Sequence, residues 1–263
     1  MSLLAGLILI SSMPFAVQDD YGNEVALKMP AQRIVSLSPH LTELVYAAGA
    51  GAKLVGAVDF SDFPPEARRL PRVGSDAAID LEAVLALRPD LIVAWPNAGS
   101  LRAVNRLAEL GIPTFRSEPR ELEDIPRTIE KLGALAGTSS GAAASFRERA
   151  GELERRYSRR PPVRVFYQVW DRPLQTVNGD HVISKVIRLC GGRNVFAAAP
   201  SIAPEIDREA LLRARPEVTI TSIASPPPPA HFIPGELIQR HTPRLLDGAE
   251  RLCRILEAAR TAR

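Results

Sequence analysis

The sequence predicts an α/β protein of two Rossmann-like lobes, joined by a long rigid helix and separated by a ligand cleft. One observation behind this is a seventeen-residue phrase that occurs twice, as IDLEAVLALRPDLIVAW at 79–95 and as IDREALLRARPEVTITS at 206–222. A second is that strand and helix patterns alternate on both sides of residues 121–158, which carry almost no strand pattern. A unit copied once indicates two similar lobes, and the cleft between them is the expected ligand site.

Residues 1–16 are predicted to be a signal peptide. The run LLAGLILISSMPFA is uncharged and shorter than the roughly 20 residues of a membrane span, but it suits the apolar region of an export signal. Small side chains favour cleavage near Ala16. No Lys or Arg precedes the run, which indicates a start codon further upstream. A buried N-terminal strand or helix is the alternative.

The N-terminal lobe is predicted to span residues 17–136 and to contain a parallel sheet, because strands and helices alternate along it. In the first repeat copy, Asp80 is placed to cap a helix that Pro89 ends, and a buried strand follows. The elements expected, in order, are a turn at 19–24, a strand at 33–38, a helix at 40–50, a strand at 53–58, the repeat helix and strand, a helix at 101–110, a strand at 112–115 and a helix at 122–136.

Residues 137–160 are predicted to form the connecting helix. Thr138 or Ser139 is placed to cap it, and at full length it would span roughly 30 Å. A long helix between two lobes predicts a stiff connection with little hinge motion.

The C-terminal lobe is predicted to span residues 161–263 and to be shortened. After Ser222 the repeat symmetry fails, because four consecutive prolines forbid a helix there. A polyproline-like bridge and a short strand at 231–233 are expected in place of a helix–strand unit. The other elements expected are a strand at 163–170, a turn at 178–180, a helix ending at Cys190, the repeat helix and strand capped by Asp207, and a final helix from Pro243.

Composition and motifs exclude several classes of function. The net charge is +3 and the pI is about 9.1, but no Lys/Arg run interleaved with aromatics indicates nucleic-acid binding. The four histidines are scattered, and HExxH, CxxC, GxSxG and GxxxxGK[ST] are absent from the sequence. Ser38-Pro39-His40 is better explained as a helix start than as a nucleophile. The chain is therefore predicted not to be an enzyme and to use neither metal nor cofactor.

The two cysteines lie in helical core positions. Cys190 ends an apolar helix that Gly191 and Gly192 terminate. Cys253 lies on the inward stripe of the last helix, with Leu245, Leu246, Ala249, Leu252 and Leu256. In an exported chain this favours a disulfide between the two helices, and two buried thiols are the alternative.

Aromatic residues follow several predicted strands. Trp95 and Trp170 close strands, and Phe60 follows KLVGAV. Ligands bind outside the carboxyl ends of strands in open α/β sheets, so these residues suit a large, partly apolar ligand with polar edges. Ordinary core packing is the alternative for each.

Two glutamates, Glu82 and Glu209, occupy matched positions in the two repeat copies. As acids in a first helical turn they complement the helix dipole, which explains both without further assumption. The alternative is that two identical acids on two lobes present a symmetric pair of charges to a symmetric, basic partner.

Together these motifs resemble the periplasmic cobalamin-binding proteins of ABC importers, in the helical-backbone substrate-binding class that also carries iron-siderophores and haem. The resemblance runs from about Gln32 to Leu256. The segments that carry it are RIVSLSPHLTELVYAAGA, FSDFPPEA, IDLEAVLALRPDLIVAW, the connecting helix, VISKVIRLCGG, IDREALLRARPE and RHTPRLLDGAERLC.

The resemblance implies a site that takes aromatic, apolar and polar side chains from both lobes. Phe60 falls where the family places an aromatic against the corrin, and Glu236 and Arg240 fall at polar contacts to the corrin side chains. His40 replaces a small residue near the cleft, where it either starts the helix or approaches the metal. The ligand-binding residues implied are Phe60, Trp95, Val169, Trp170, Glu236, Arg240 and His40.

The resemblance also implies the partners. Glu82 and Glu209 fall on two acids that dock onto arginines of a permease dimer, which works with its ATPase, and Cys190 and Cys253 fall on the family's disulfide. Asp76 and Ala203 stand where the family places tryptophans, so part of the aromatic clamp is absent.

The expected function is that of a periplasmic carrier, monomeric when free, that captures cobalamin or a related corrinoid. A siderophore or haem carrier of the same fold and a chelatase-type enzyme on a similar scaffold are the alternatives.

Overall fold

An antiparallel hairpin opens the structure, a computed structural model that describes residues 15–224 and 229–262. Strand β1 (Phe15–Gln18) pairs with β2 (Glu24–Leu27), and the Asp19 carboxylate accepts two backbone N–H groups inside the turn. The predicted turn is confirmed. Residues 1–14 of the expected signal peptide lie outside the described residues, and its last two residues belong to β1.

The first lobe contains a four-stranded parallel sheet in the order β4-β3-β5-β6. Its central strands are buried along their whole length and are apolar apart from Ser36, as expected where helices cover both faces. The elements are β3 (Ile34–Ser36), α1 (Pro39–Ala47), β4 (Leu54–Ala57), α2 (Leu81–Ala86), β5 (Leu91–Ala94), α3 (Leu101–Glu109) and β6 (Thr114–Arg116).

Two helices connect the lobes. Helix α4 (Asp124–Ala136) ends at Gly137, which adopts a left-handed conformation, and α5 (Ala142–Tyr157) extends for about 24 Å. The predicted cap of α5 is wrong, because the helix begins with Gly141 at the N-cap position. The Thr138 hydroxyl donates instead to the carbonyl of Ala48, at 2.7 Å, and so ties this turn to the end of α1.

The second lobe also contains a four-stranded parallel sheet, in the order β10-β7-β11-β12. The predicted strand through Trp170 ends earlier, at Gln168, and Trp170 begins a small antiparallel hairpin. The elements are β7 (Val163–Gln168), β8 (Trp170–Asp171), β9 (Leu174–Gln175), α6 (Val182–Leu189), β10 (Gly192–Asn194), α7 (Arg208–Ala214), β11 (Val218–Thr221), β12 (His231–Phe232), α8 (Gly235–Ile238) and α9 (Leu245–Thr261).

The two sheets correspond strand for strand. The sequence predicted that a short strand near 231–233 stands in place of a helix–strand unit, and this strand is confirmed as β12. It takes the place that β6 holds in the first lobe, so the second sheet still has four strands. The described residues between β11 and β12 form no helix, whereas α3 lies between β5 and β6. Residues 225–228 of the expected polyproline bridge lie outside the described residues.

The repeat copies fold alike. The carboxylates of Asp80 and Asp207 accept the backbone N–H three residues later, at 3.0 and 2.5 Å, as predicted. Each helix then turns through a left-handed arginine, Arg88 (φ 46°) or Arg215 (φ 44°), before its proline.

The duplication extends beyond the repeated phrase. Arg33, just before β3, donates to the Leu87 carbonyl at the end of α2, and Arg164 in β7 donates to the Arg215 carbonyl after α7. In both lobes the backbone N–H of the same arginine donates to a carboxylate just before the third strand, that of Asp90 or Glu217. Each repeat helix is thereby fixed to the first strand of its own sheet.

One large apolar core is shared by both lobes. It includes residues of α1, α4 and α5 as well as of β7, α6 and α9, because α5 packs against α4 on one side and α9 on the other. The predicted disulfide is confirmed, since Cys190 and Cys253 join α6 to α9 with the sulfurs buried. The predicted stripe of α9 is also buried. Within the described ranges, every helix is too short or too polar to cross a membrane.

Candidate ligand site and docking surface

Phe60 lies in a strained loop after β4. Its φ angle is 60°, which is uncommon for a bulky residue, and its side chain is 76% exposed. The loop is held by its carbonyl groups: Arg72 donates to those of Val58 and Ser61, both at 3.1 Å. Strain of this kind persists only where the surroundings determine it, and it is concentrated at sites of function.

Arg240 joins the lobes at this loop. Its guanidinium donates to the Phe60 carbonyl at 3.1 Å and to the carboxylates of Glu43 and Asp62, both at 2.9 Å. Desolvation is the largest single effect on Asp62 and would raise its pKa, but the hydrogen bond from Arg240 and the charges of Arg240 and Arg68, taken together with a backbone hydrogen bond, lower that pKa. The sequence predicted Arg240 as a ligand contact; its charge is already partnered by the first lobe.

Glu43 lies in α1 and is buried, with its side chain 2% exposed. Desolvation raises its pKa, and Arg240 and Arg244 offset this only in part. The Arg244 guanidinium is 3.6 Å from the Glu43 carboxylate and stacks over the Phe63 ring, 4.1 Å from its centroid. Sequence reasoning missed Glu43, since an acid within an apolar helix gives no pattern by itself.

A cavity of about 450 Å³ opens beside this junction, and residues of both lobes line it. Its lining is charged, so it suits the polar edge of a ligand. Glu236, which the sequence predicted, is exposed here. The lining residues are Asp62, Phe63, Arg68, Gly235, Glu236, Gln239, Arg240 and Arg244.

His40 is buried at the junction, only 7% exposed. Its Nδ1 lies 2.7 Å from the Ser38 hydroxyl. Ser38 occupies the N-cap position of α1, as predicted, but its side chain does not cap the helix. Desolvation, with smaller effects of His241 and Arg240, lowers the pKa of His40 to about 3, so the ring is neutral at pH 7. Its Nε2 has no hydrogen-bond partner among the described residues.

Trp95 follows β5 directly and is 38% exposed. The His40 ring meets it edge-on, with 5.8 Å between centroids, and His241 from the second lobe lies 6.0 Å from His40 on another side. Trp95 is thereby part of the lobe junction and also reaches solvent, as a cleft aromatic must.

The second lobe supplies Val169 and Trp170. Val169 is half-buried and packs against the shared core, while Trp170 is 59% exposed. The indole N–H of Trp170 donates to the Arg172 carbonyl at 3.1 Å, which fixes the ring on its hairpin. The alternative, that these aromatics are ordinary core residues, is wrong for Phe60 and Trp170, because both side chains are exposed.

Glu82 and Glu209 are exposed in the first turns of α2 and α7. They differ in one respect: Glu209 pairs with Arg213 at 2.5 Å, whereas α2 has Ala86 at the matching position. A shallow depression of about 860 Å³ adjoins α7. Its lining residues are Arg164, Glu209, Leu212, Arg213 and Arg215.

Comparison with known proteins defines the class. The family described as periplasmic binding protein matches residues 34–240, and the chain belongs to this family. Members of the family bind a ligand and work with an ABC transporter.

Relatives within the family are more informative. The chain is 36% identical to the vitamin B12-binding protein of Vibrio cholerae serotype O1, over 89% of this chain and 92% of that protein. It is 37% identical to the vitamin B12-binding protein of Yersinia pestis (strain Pestoides F), over 86% and 88% of the two chains.

Solved structures agree in fold. The periplasmic vitamin B12 binding protein BtuF of Vibrio cholerae matches with a TM-score of 0.80 and 35% identity, covering 88% of this chain and 98% of that one. The periplasmic heme-binding protein RhuT of Roseiflexus sp. RS-1 matches with a TM-score of 0.71 and 22% identity, covering 87% and 99%. This second likeness concerns the fold alone.

Proposed function

We propose that the protein captures cobalamin or a related corrinoid between its two lobes, in the periplasm, and delivers it to an ABC transporter. The observation that carries this is the site at the strand ends of a chain whose relatives are vitamin B12-binding proteins. There, an exposed Phe60 in strained backbone accepts a hydrogen bond at its carbonyl from Arg240, which lines a charged cavity that both lobes form. The half-exposed Trp95 contacts His40 at the same lobe junction.

The side chains suit such a ligand in two ways. Phe60, Trp95 and Trp170 offer aromatic faces to a large ring, with Val169 behind Trp170 as part of the apolar wall. Glu236 and Arg240 line the charged cavity, where they would meet the polar side chains at the edge of a corrin. His40 supports Trp95 from behind rather than reaching the metal, because its ring is buried.

Titration of the purified protein tests the ligand. Cyanocobalamin, cobinamide, haem and a ferric siderophore are added in turn, with tryptophan fluorescence and visible absorbance as the readouts. We expect both corrinoids to bind at one ligand per protein and to quench the fluorescence. Binding of haem or the siderophore with no binding of either corrinoid would assign the protein to another branch of the family.

The partner follows from the duplicated acids. Glu82 and Glu209 lie at equivalent, exposed positions of two lobes, so a dimeric permease with a basic pocket on each subunit, driven by its ATPase, would meet one acid per subunit. The free protein is a monomer in this proposal. The buried disulfide supports a location in the oxidising periplasm.

A further inference from the structure

The conformation of the Phe60 loop depends on contacts from outside the loop. Phe60 combines a left-handed backbone with an exposed ring, so its own side chain contributes little packing to hold it there. Arg72 fixes the carbonyls on both sides of Phe60 but not the Phe60 carbonyl itself. That carbonyl accepts its hydrogen bond from Arg240, which belongs to the second lobe.

Arg240 is in turn anchored at Glu43. The Glu43 carboxylate accepts from Arg240 at 2.9 Å and lies 3.6 Å from Arg244, whose guanidinium stacks on Phe63. The buried Glu43 carboxylate, together with the more exposed carboxylate of Asp62, restricts the guanidinium of Arg240 to one place, at the carbonyl of Phe60. The second Glu43 oxygen has no hydrogen-bond partner among the described residues, so burying this acid is unfavourable by itself.

We propose that Glu43 is a positioning residue for ligand capture. It holds Arg240 at the lobe junction, and Arg240 holds the backbone of Phe60 so that the ring is presented to the ligand. Glu43 itself is too deeply buried to touch a ligand. The proposal rests on the proposed function, since the ring is taken to face a corrinoid.

A double-mutant cycle between Glu43 and Phe60 tests it. The dissociation constant of cyanocobalamin is measured for the wild type, Glu43→Gln, Phe60→Ala and the double variant. We expect Glu43→Gln to weaken binding about tenfold, the scale of one well-placed contact, and to have no further effect once the Phe60 ring is removed. Equal weakening in both backgrounds, or unchanged affinity of Glu43→Gln, would overturn the proposal.

The control removes a different acid that pairs with the second lobe. Glu121 pairs with Lys185 of α6 at 2.5 Å and takes no part in the Phe60 loop, so Glu121→Gln should bind cyanocobalamin as the wild type does. Glu43→Asp, which keeps the charge, should recover part of the affinity lost in Glu43→Gln.

Amide hydrogen exchange in ligand-free protein tests the positioning step by itself. The N–H groups of Asp59 and Ser61 donate to the carbonyls of Gly74 and Val58 in the wild type. Both should exchange faster in Glu43→Gln but not in Glu121→Gln. If Glu43→Gln does not fold, Arg240→Gln, which changes a half-buried residue, should produce the same increase. Unchanged exchange in the folded variant would overturn the proposal, whereas a wild type that binds neither corrinoid would overturn the proposed function alone.

Discussion

The two lobes share a strand order but cover the outer faces of their sheets differently. In the first lobe, α3 supplies Val104 and Leu107 to a second apolar cluster that covers Val35 of β3. Counted from Arg33 and Arg164, the residue that matches Val35 is Phe166. Its ring packs edge-on against Phe196, with 5.9 Å between centroids.

This difference shows what the fold requires. In the second lobe the central-strand residue Phe166 packs against the ring of Phe196, where the first lobe places α3 against Val35. Both lobes keep a fourth strand in the same place. The features that both lobes retain are the central strands, the repeat helix and the arginine that fixes the helix to the sheet. The retained features place Glu82 and Glu209 at equivalent positions of the two lobes.

Reversing both matched charges should have the largest effect. The double variant Glu82→Arg with Glu209→Arg should bind ligand normally in solution and abolish uptake by the transporter, because like charges facing each other at an interface cost several kcal/mol. Each single variant should show an uptake rate between those of the wild type and the double variant. Vitamin uptake by cells that express each variant is the measurement, and normal uptake with a folded double variant would show that the acids serve only their helices.

Removing the disulfide should destabilise the second lobe, which alone contains it. Cys190→Ser with Cys253→Ser opens a crosslink across 63 residues, so the free energy of unfolding should fall by about 4 kcal/mol in the chain-entropy model. Urea unfolding of both proteins measures this. Thiol titration of the unfolded, unreduced wild type should find no free thiol, and two reactive thiols would contradict both the bond and the export.

The cleft tryptophans should differ between lobes. Trp95→Ala should weaken cyanocobalamin binding by about 1–3 kcal/mol, as expected for a buried aromatic contact. Trp170→Ala should weaken cyanocobalamin binding less than Trp95→Ala does, because Trp170 lies on a two-residue hairpin strand and is more exposed than Trp95. Tyr21→Ala, which removes an exposed aromatic in the turn between β1 and β2, is the control. Equal affinity of Trp95→Ala and wild type would remove Trp95 from the site.

His40 should make the protein less stable in acid. Its pKa is about 3 when folded and near the ordinary 6.5 when unfolded, so the unfolded chain binds the proton first. Stability is therefore complete above pH 6.5 and falls as the pH drops, by about 2 kcal/mol at pH 5 from this residue. His40→Gln should reduce the loss between pH 7 and pH 5, whereas His231→Gln, at an exposed site, should not. The measurement is the free energy of unfolding in urea at pH 7 and pH 5, for the wild type and both variants.

Local patterns predicted much of this architecture. Caps at Asp80 and Asp207 and the terminating prolines placed both repeat helices, since these signals act within one turn of helix. The strand at Gly192–Asn194 was missed because its three residues carry no apolar alternation.

The candidate site was less accessible to such reasoning. The aromatics were found because they follow strands, but Arg240 meets Glu43 across 197 residues of chain. The carboxylates that a guanidinium meets depend on the three-dimensional fold. A single sequence shows which charged residues are present but not which of them come into contact. Arg72 was missed for the same reason, as its acceptors are backbone carbonyls.

The shared core has a consequence for the timing of transport. Helix α5 belongs to the same apolar cluster as both sheets, so widening the cleft would expose buried core to water. A ligand held between the lobes, as proposed, would therefore leave slowly in solution if its exit required the lobes to separate. Its release would then be set by the energy that the membrane complex supplies when it separates the lobes, so the dissociation rate in solution would say little about the turnover of the transporter.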